Sequence, residues 1–267
     1  MSETHTLACP GTVYLVGAGP GDAGLLTLRA KELLEQANVV VYDALVSPGV
    51  LALIPSTTEQ IYVGKRRGWH TLNQAEIIQG LVALAQRYPR VVRLKGGDPF
   101  IFGRGAEELE GLRAAGLRVE VVPGVSAGIA APATLGIPLT HRHLSSSVAF
   151  VTGHEAIDKA RPAVDWAALA QGVDTLVIYM GMHNLATLVT ELRQAGRPAA
   201  TPIALIQWGT WPQQQHLIAT LDTVVEKVDA YGLGPPAIAI VGAVVNWERG
   251  RENRNTLGLG GETSSRL

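Results

Sequence analysis

TVYLVGAGPGDAGLLTLRAKELLEQANVVVYD, residues 12–43, holds a strand, a glycine-rich turn, a helix and a second strand in that order. TVYLVG (12–17) and NVVVYD (38–43) are short β-branched runs, read as buried strands. Between them Leu26, Ala30, Leu33, Leu34 and Ala37 recur at helical spacing, which predicts an amphipathic helix over 24–36. Asp22 is placed to cap its first turn. Strand, helix and strand in succession make a parallel crossover unit. The turn GAGPGDAG (17–24) is not quite a dinucleotide fingerprint, which would need glycine at position 22. Asp22 puts a carboxylate where a pyrophosphate would sit, and Pro20 stands inside the loop. Asp43, at the end of the second strand, can still mimic a ribose-binding acid. Phosphate binding is disfavoured, and the glycines serve equally well a tight strand-to-helix turn.

Outward from this unit the alternation continues. A strand at 60–63 precedes a helix near 73–86, which Asn73 and Glu76 open as a capping box. RVVRL (90–94), a helix around 105–115 and RVEVV (118–122) complete a mainly parallel sheet with helices on both faces. A second α/β set has strands near 147–152, 174–180, 202–207, 216–220 and 237–242, with helices near 184–194 and 221–229. The expected organisation is an N-terminal α/β domain over 11–123, a connecting segment with one short helix over 124–145, and a C-terminal α/β domain over 146–247. Residues 1–10 and 250–267 read as flexible tails.

Composition closes off several classes. A formal net charge of −1 excludes a general nucleic-acid coat protein. Cys9 is the only cysteine, so neither a disulfide framework nor a cysteine-rich zinc site can form within one chain. His141, His143 and His154 lack further ligands at metal spacing, so no metal is expected. Prolines interrupt each of the uncharged stretches 121–140, 198–221 and 230–247, so none reads as a membrane span. MSETHTLACPG has no apolar signal core, and the expected location is cytoplasmic. The second loop, VVRLKGGDPFIFGRGAEE (91–108), carries the strongest functional signal. It follows a buried strand and packs Gly96, Gly97, Gly103 and Gly105 around Asp98, two phenylalanines and Arg104. Between 61 and 118 ten Lys/Arg face five Asp/Glu, an excess suited to an anionic small molecule.

VYLVGAGPGDAGLLTLRA (13–30), VVVYDALVS (39–47), YVGKRRG (62–68), VVRLKGGDPFIFGRGAEE (91–108), VVPGVSAG (121–128), GIPLTHR (136–142), FVTGH (150–154), YMGM (179–182) and PPAIAIVG (235–242) follow one another in this order. Together they closely resemble the uroporphyrinogen-III C-methyltransferase family, within the tetrapyrrole methylases, over roughly residues 12–245. The resemblance implies two α/β domains of the tetrapyrrole methylase type with a ligand cleft between them, not a Rossmann-type methyltransferase. It implies S-adenosyl-L-methionine as methyl donor, leaving as S-adenosyl-L-homocysteine, with no metal. The implied reaction methylates uroporphyrinogen III at C2 and C7, giving precorrin-2 via precorrin-1 for sirohaem- or cobalamin-type tetrapyrroles. Family contacts to the donor map onto Pro20, Gly96, Gly97, Asp98, Ile101, Ser126, Ala127, Met180 and Gly209. The implied catalytic residues are Asp43 as proton acceptor, Lys65 as donor or carboxylate holder, and Arg104 for substrate activation. Arg104, Glu107, Arg142 and His154 are implied substrate contacts. Many members carry arginine after the aspartate, where this chain has Ala44. A homodimer acting on a polyanionic small molecule, away from nucleic acid and membranes, completes the expectation.

Two alternatives stand beside it. One is a sister methylase acting on a later corrin intermediate, or on a protein or ribosomal RNA. The other, from a different class, is an NAD-dependent oxidoreductase, against which Asp22 argues.

Overall fold

The structure, a computed structural model, describes residues 9–64, 72–154 and 164–248. These divide into two compact units. The first comprises residues up to Ala131 together with Trp208–Gln214, and the second comprises Pro132–Gln207 and the residues from Gln215 onward. The division falls inside the 124–145 segment.

In the first unit, β1 (Thr12–Gly17), β2 (Val39–Tyr42), β3 (Glu59–Tyr62), β4 (Arg90–Lys95) and β5 (Arg118–Val122) form one parallel sheet in the order β3-β2-β4-β1-β5. Its central strands are buried on both sides because helices cover both faces. On one face, α1 (Leu28–Gln36) and α2 (Pro48–Leu51) pack Ala30, Leu33, Leu34 and Val50 against Val16, Val40, Val92 and Leu94. On the other, α3 (Gln74–Ala85) and α4 (Gly105–Ala114) set Leu81, Ala85 and Leu112 against Val13, Leu15, Val39, Val41 and Val91. The chain leaves β1 toward one edge of the sheet and its neighbour β4 toward the other. The loops after these two strands therefore lie at a topological switch point, the usual ligand position in such sheets.

The helix expected over 24–36 begins later. Asp22 accepts from the Gly24 amide and caps a separate 3₁₀ turn, Ala23–Leu25. Thr27 then caps α1 by accepting from Ala30 N. Two caps within six residues produce two short elements instead of one long helix. The capping box at Asn73 and Glu76 opens α3 as its sequence predicts.

α5 (Ala127–Thr134) runs across the division between the units. The second unit holds β6 (Val148–Thr152), α6 (Trp166–Gly172), β7 (Thr175–Tyr179), α7 (Leu185–Gln194), β8 (Pro202–Gln207), β9 (Gln215–Thr220), α8 (Val224–Tyr231) and β10 (Ala237–Val241). Its sheet, in the order β6-β7-β10-β8-β9, is mixed. Only β6 and β7 pair in parallel, and β10 runs antiparallel to both neighbours. Leu185, Leu188, Val189 and Leu192 of α7 form one apolar stripe in its core. Among the described residues, no helix is long and apolar enough to cross a membrane.

Candidate active site

The two glycine-rich loops of the sequence meet. Gly97 N donates to Gly19 O at 2.7 Å and Gly19 N donates to Gly97 O at 3.2 Å, an antiparallel bridge between the β1 and β4 loops. The segment after β5 crosses the same point. A Cβ on Gly124 would lie 2.3 Å from Gly97 O and 2.8 Å from Gly17 Cα, so only glycine permits this approach. Asp98 locks the crossing: its Oδ1 accepts from Phe100 N at 2.8 Å and its Oδ2 from Gly124 N at 3.0 Å. Gly97 adopts φ +68°, and a Cβ added to it would meet Ser126 Cα and Ala127 N first, each at 3.9 Å. Gly96, Gly97, Asp98, Ile101, Ser126 and Ala127, each read from the sequence as a donor contact, are thus carried by two interlocked loops.

This interlock also answers the dinucleotide alternative. The amide of Gly19 is spent on Gly97, that of Gly24 on Asp22 Oδ1, and that of Asp22 on Thr210 Oγ1 at 3.0 Å. A phosphate cradle needs such amides pointing at the ligand.

Asp43 stands directly after β2, with its Oδ1 accepting from Leu45 N at 3.1 Å. Its Oδ2 lies 3.6 Å from Nη2 of Arg93, a residue the sequence reading did not single out. Arg93 and Lys95 alternate with Val91 along the face of β4 that packs on α3 and α4, and both side chains are buried. Both converge on Glu108 of α4, which is fully buried. Its Oε1 accepts from Arg93 Nε at 3.2 Å, Lys95 Nζ at 3.0 Å and Gln74 Nε2 at 2.9 Å. Burial and the neighbouring Arg93 cation push the Lys95 ammonium below the usual lysine range, against the pull of Glu108.

Arg104 is exposed and left-handed at φ +57°, at the N-cap of α4. Its fork grips Glu107, with Nε to Oε1 at 2.8 Å and Nη2 to Oε2 at 2.6 Å. Glu107 raises the Arg104 guanidinium above its usual range, and Arg104 holds the Glu107 carboxyl below the usual carboxylate range. The two implied substrate contacts therefore hold each other in a bidentate pair.

Gly209 lies in the Trp208–Gln214 segment, which packs with the first unit. Trp211 Nε1 donates to the carbonyl of Pro20 at 2.9 Å, bringing the segment of Gly209 to another implied donor contact. Met180, exposed at φ +54°, Arg142 and His154 belong to the second unit, where Arg142 and His154 are also exposed. Lys65 lies outside the described residues. Among the described residues, no group of three or more His, Cys, Asp or Glu is placed to hold a metal ion.

Residues 12–225 match the family model of Tetrapyrrole (Corrin/Porphyrin) Methylases. The chain belongs to the tetrapyrrole methylase family. A uroporphyrinogen-III C-methyltransferase of Synechocystis sp. is 58% identical over 237 residues, spanning 89% of this chain and 90% of that protein. One from Priestia megaterium is 49% identical, spanning 89% of this chain and 99% of its own. Among solved structures, uroporphyrin-III C-methyl transferase from Thermus thermophilus complexed with S-adenyl homocysteine is 43% identical with a TM-score of 0.76, covering 89% of this chain and all of that one. The fold of this tetrapyrrole methylase is accordingly the two-domain α/β type its motifs implied, and it is an enzyme of the methyltransferase class.

Proposed function

We propose that this chain methylates uroporphyrinogen III at C2 and C7 from S-adenosyl-L-methionine, giving precorrin-2 via precorrin-1. The reading rests on the likeness to uroporphyrinogen-III C-methyltransferases, and the strained backbone gathers near its implied site residues. Among the described residues five non-glycine residues have positive φ: Phe102, Arg104, Met180, Trp208 and Thr210. Two are implied site residues, two flank Gly209, and Phe102 shares the loop of Arg104. Left-handed conformations at such residues cost about 1–3 kcal/mol each, persist only where the surrounding structure enforces them, and cluster at functional sites.

The residues fit the donor. The interlocked glycine loops bring small residues and backbone groups together at Gly97, Ser126 and Ala127, where a Cβ at Gly97 would meet nothing closer than 3.9 Å. When bound, S-adenosyl-L-methionine supplies an electrophilic methyl and leaves as S-adenosyl-L-homocysteine. Asp43 takes the proton lost from the macrocycle as the new carbon–carbon bond forms. The Arg104 fork holds one of the eight substrate carboxylates, exchanging Glu107 for it. Arg142 and His154 complete the substrate contacts, and Lys65 donates a proton or holds a further carboxylate. Much of the acceleration comes from alignment of the methyl with the nucleophilic carbon. A homodimer working in the cytoplasm completes the reading, on the family resemblance.

The test is anaerobic incubation with uroporphyrinogen III and S-adenosyl-L-methionine, followed by product mass. A gain of two methyl groups, lost or strongly slowed in Arg104→Ala, is the expected result. No transfer despite tight S-adenosyl-L-homocysteine binding moves the acceptor to a later corrin intermediate.

A further inference from the structure

The face of β4 that packs on α3 and α4 begins apolar at Val91 and ends in two buried cations, Arg93 and Lys95. A core position near a strand end does not need charge for stability. Buried ion pairs replaced by well-packed apolar side chains are often neutral or stabilising. Here two cations and a single fully buried carboxylate, Glu108, occupy the interior. The fourth charge, Asp43, stands at the solvent end of the group, with its side chain 28% exposed.

We infer that Arg93, anchored by Glu108, is a positioning residue that sets the orientation of the Asp43 carboxylate. The inference rests on the reading of Asp43 as proton acceptor. The guanidinium is planar and fixed from several sides. Nε donates to Glu108 Oε1 at 3.2 Å and Nη1 to the Leu94 carbonyl at 3.1 Å, which leaves Nη2 presented to Asp43 Oδ2 at 3.6 Å. From the other side Leu45 N donates to Asp43 Oδ1 at 3.1 Å. The carboxylate is therefore hydrogen-bonded at Oδ1 and faces a fixed cation at ion-pair distance from Oδ2, with its side chain partly exposed. Lysine cannot reproduce this, because one ammonium on one stem lacks the planar fork that reaches both acids. Glu108 keeps Lys95 and Gln74 when Arg93 is removed, so the substitution does not strand a buried anion.

A double-mutant cycle separates positioning from structure. The enzyme, Arg93→Met, Arg93→Lys, Asp43→Asn and Arg93→Met/Asp43→Asn are compared for kcat and KM with uroporphyrinogen III and saturating S-adenosyl-L-methionine. Binding of S-adenosyl-L-homocysteine serves as the check of fold. Asp43→Asn is expected to lower kcat about 100-fold or more. Arg93→Met is expected to lower kcat about 10- to 100-fold, with KM and S-adenosyl-L-homocysteine affinity nearly unchanged. Added to Asp43→Asn, it is expected to cost no more than about a further twofold. Arg93→Lys retains the buried cation and is expected to lose kcat with its fold intact, which covers the case of a poorly folded methionine variant. Losses that multiply across the cycle, or an Arg93→Lys enzyme of full kcat, overturn the inference while leaving Asp43 in its role. An Asp43→Asn enzyme of full kcat overturns both at once.

Discussion

Lys95 is a charged side chain in a place that penalises charge. Its ammonium is held below the usual lysine range mainly by burial, next by the Arg93 cation, with Glu108 pulling the other way. Between that depressed value and the ordinary 10.5, the unfolded chain binds more protons at this site than the folded one. Stability contributed by the site therefore rises with pH across this window, and the burden is fullest below it. Replacing the residue removes the dependence. In urea unfolding, the free-energy difference between the native protein and Lys95→Met is expected to shift in favour of the native protein from pH 7 to pH 10. A difference that stays flat would mean that Lys95 titrates as a solvated lysine. Glu107 gives a second case. Its carboxylate occupies the Arg104 fork that the proposed substrate must enter. The pair is an exposed i,i+3 contact worth only about 0.2–0.5 kcal/mol to the helix. Glu107→Gln should thus leave thermal stability nearly untouched and lower KM for uroporphyrinogen III, measured in steady state. A raised KM would instead make Glu107 a direct contact.

The elements that position the site rest on crossings with no space to spare. At Gly124 a methyl group would press into the Gly97 carbonyl and Gly17 Cα together, both of them backbone. Gly124→Ala is expected to destabilise by about 1–3 kcal/mol in denaturant unfolding. It should also weaken S-adenosyl-L-homocysteine binding, because the Asp98 bracket closes on the amide of residue 124. Retained affinity with lost stability would separate the crossing from the ligand site. This crossing was legible in part: VVRLKGGDPFIFGRGAEE signals a functional loop at a strand end, VVPGVSAG enters the site only through the family resemblance, and β1, β4 and β5 fall where their β-branched runs place them. What local pattern does not carry is the partner across the fold. Arg93 in RVVRLK reads like any outward-facing strand residue until Glu108, fifteen positions on, is seen beneath it. α2, of four residues, and α6, of seven, are too short to express a 3.6-residue period in the sequence. The antiparallel course of β10 was equally invisible, since an apolar run such as AIAIV reads the same in either direction.

Over the whole molecule, the two units have separate cores, yet the seven residues Trp208–Gln214 between β8 and β9 pack with the first unit while both strands belong to the second. This return is held by specific bonds. Trp211 donates to the Pro20 carbonyl, Thr210 accepts from the Asp22 amide at 3.0 Å, and Gln214 accepts from Thr210 N at 2.6 Å. Trp208 and Thr210 remain left-handed within it, a conformation that survives only while its surroundings enforce it. The segment carries Gly209, and its anchor falls on Pro20, both proposed donor contacts that lie far apart in the chain. Removing the anchor should let the strained residues relax and draw Gly209 away from Pro20. Trp211→Ala is therefore expected to weaken S-adenosyl-L-homocysteine binding about tenfold, or about 1.4 kcal/mol, by calorimetric titration. Trp211→Phe, which keeps an aromatic ring against Gly21 but cannot donate to Pro20, should fall between the two. If both variants bind as tightly as the native protein, the loop is a packing device and Gly209 takes no part in holding the donor.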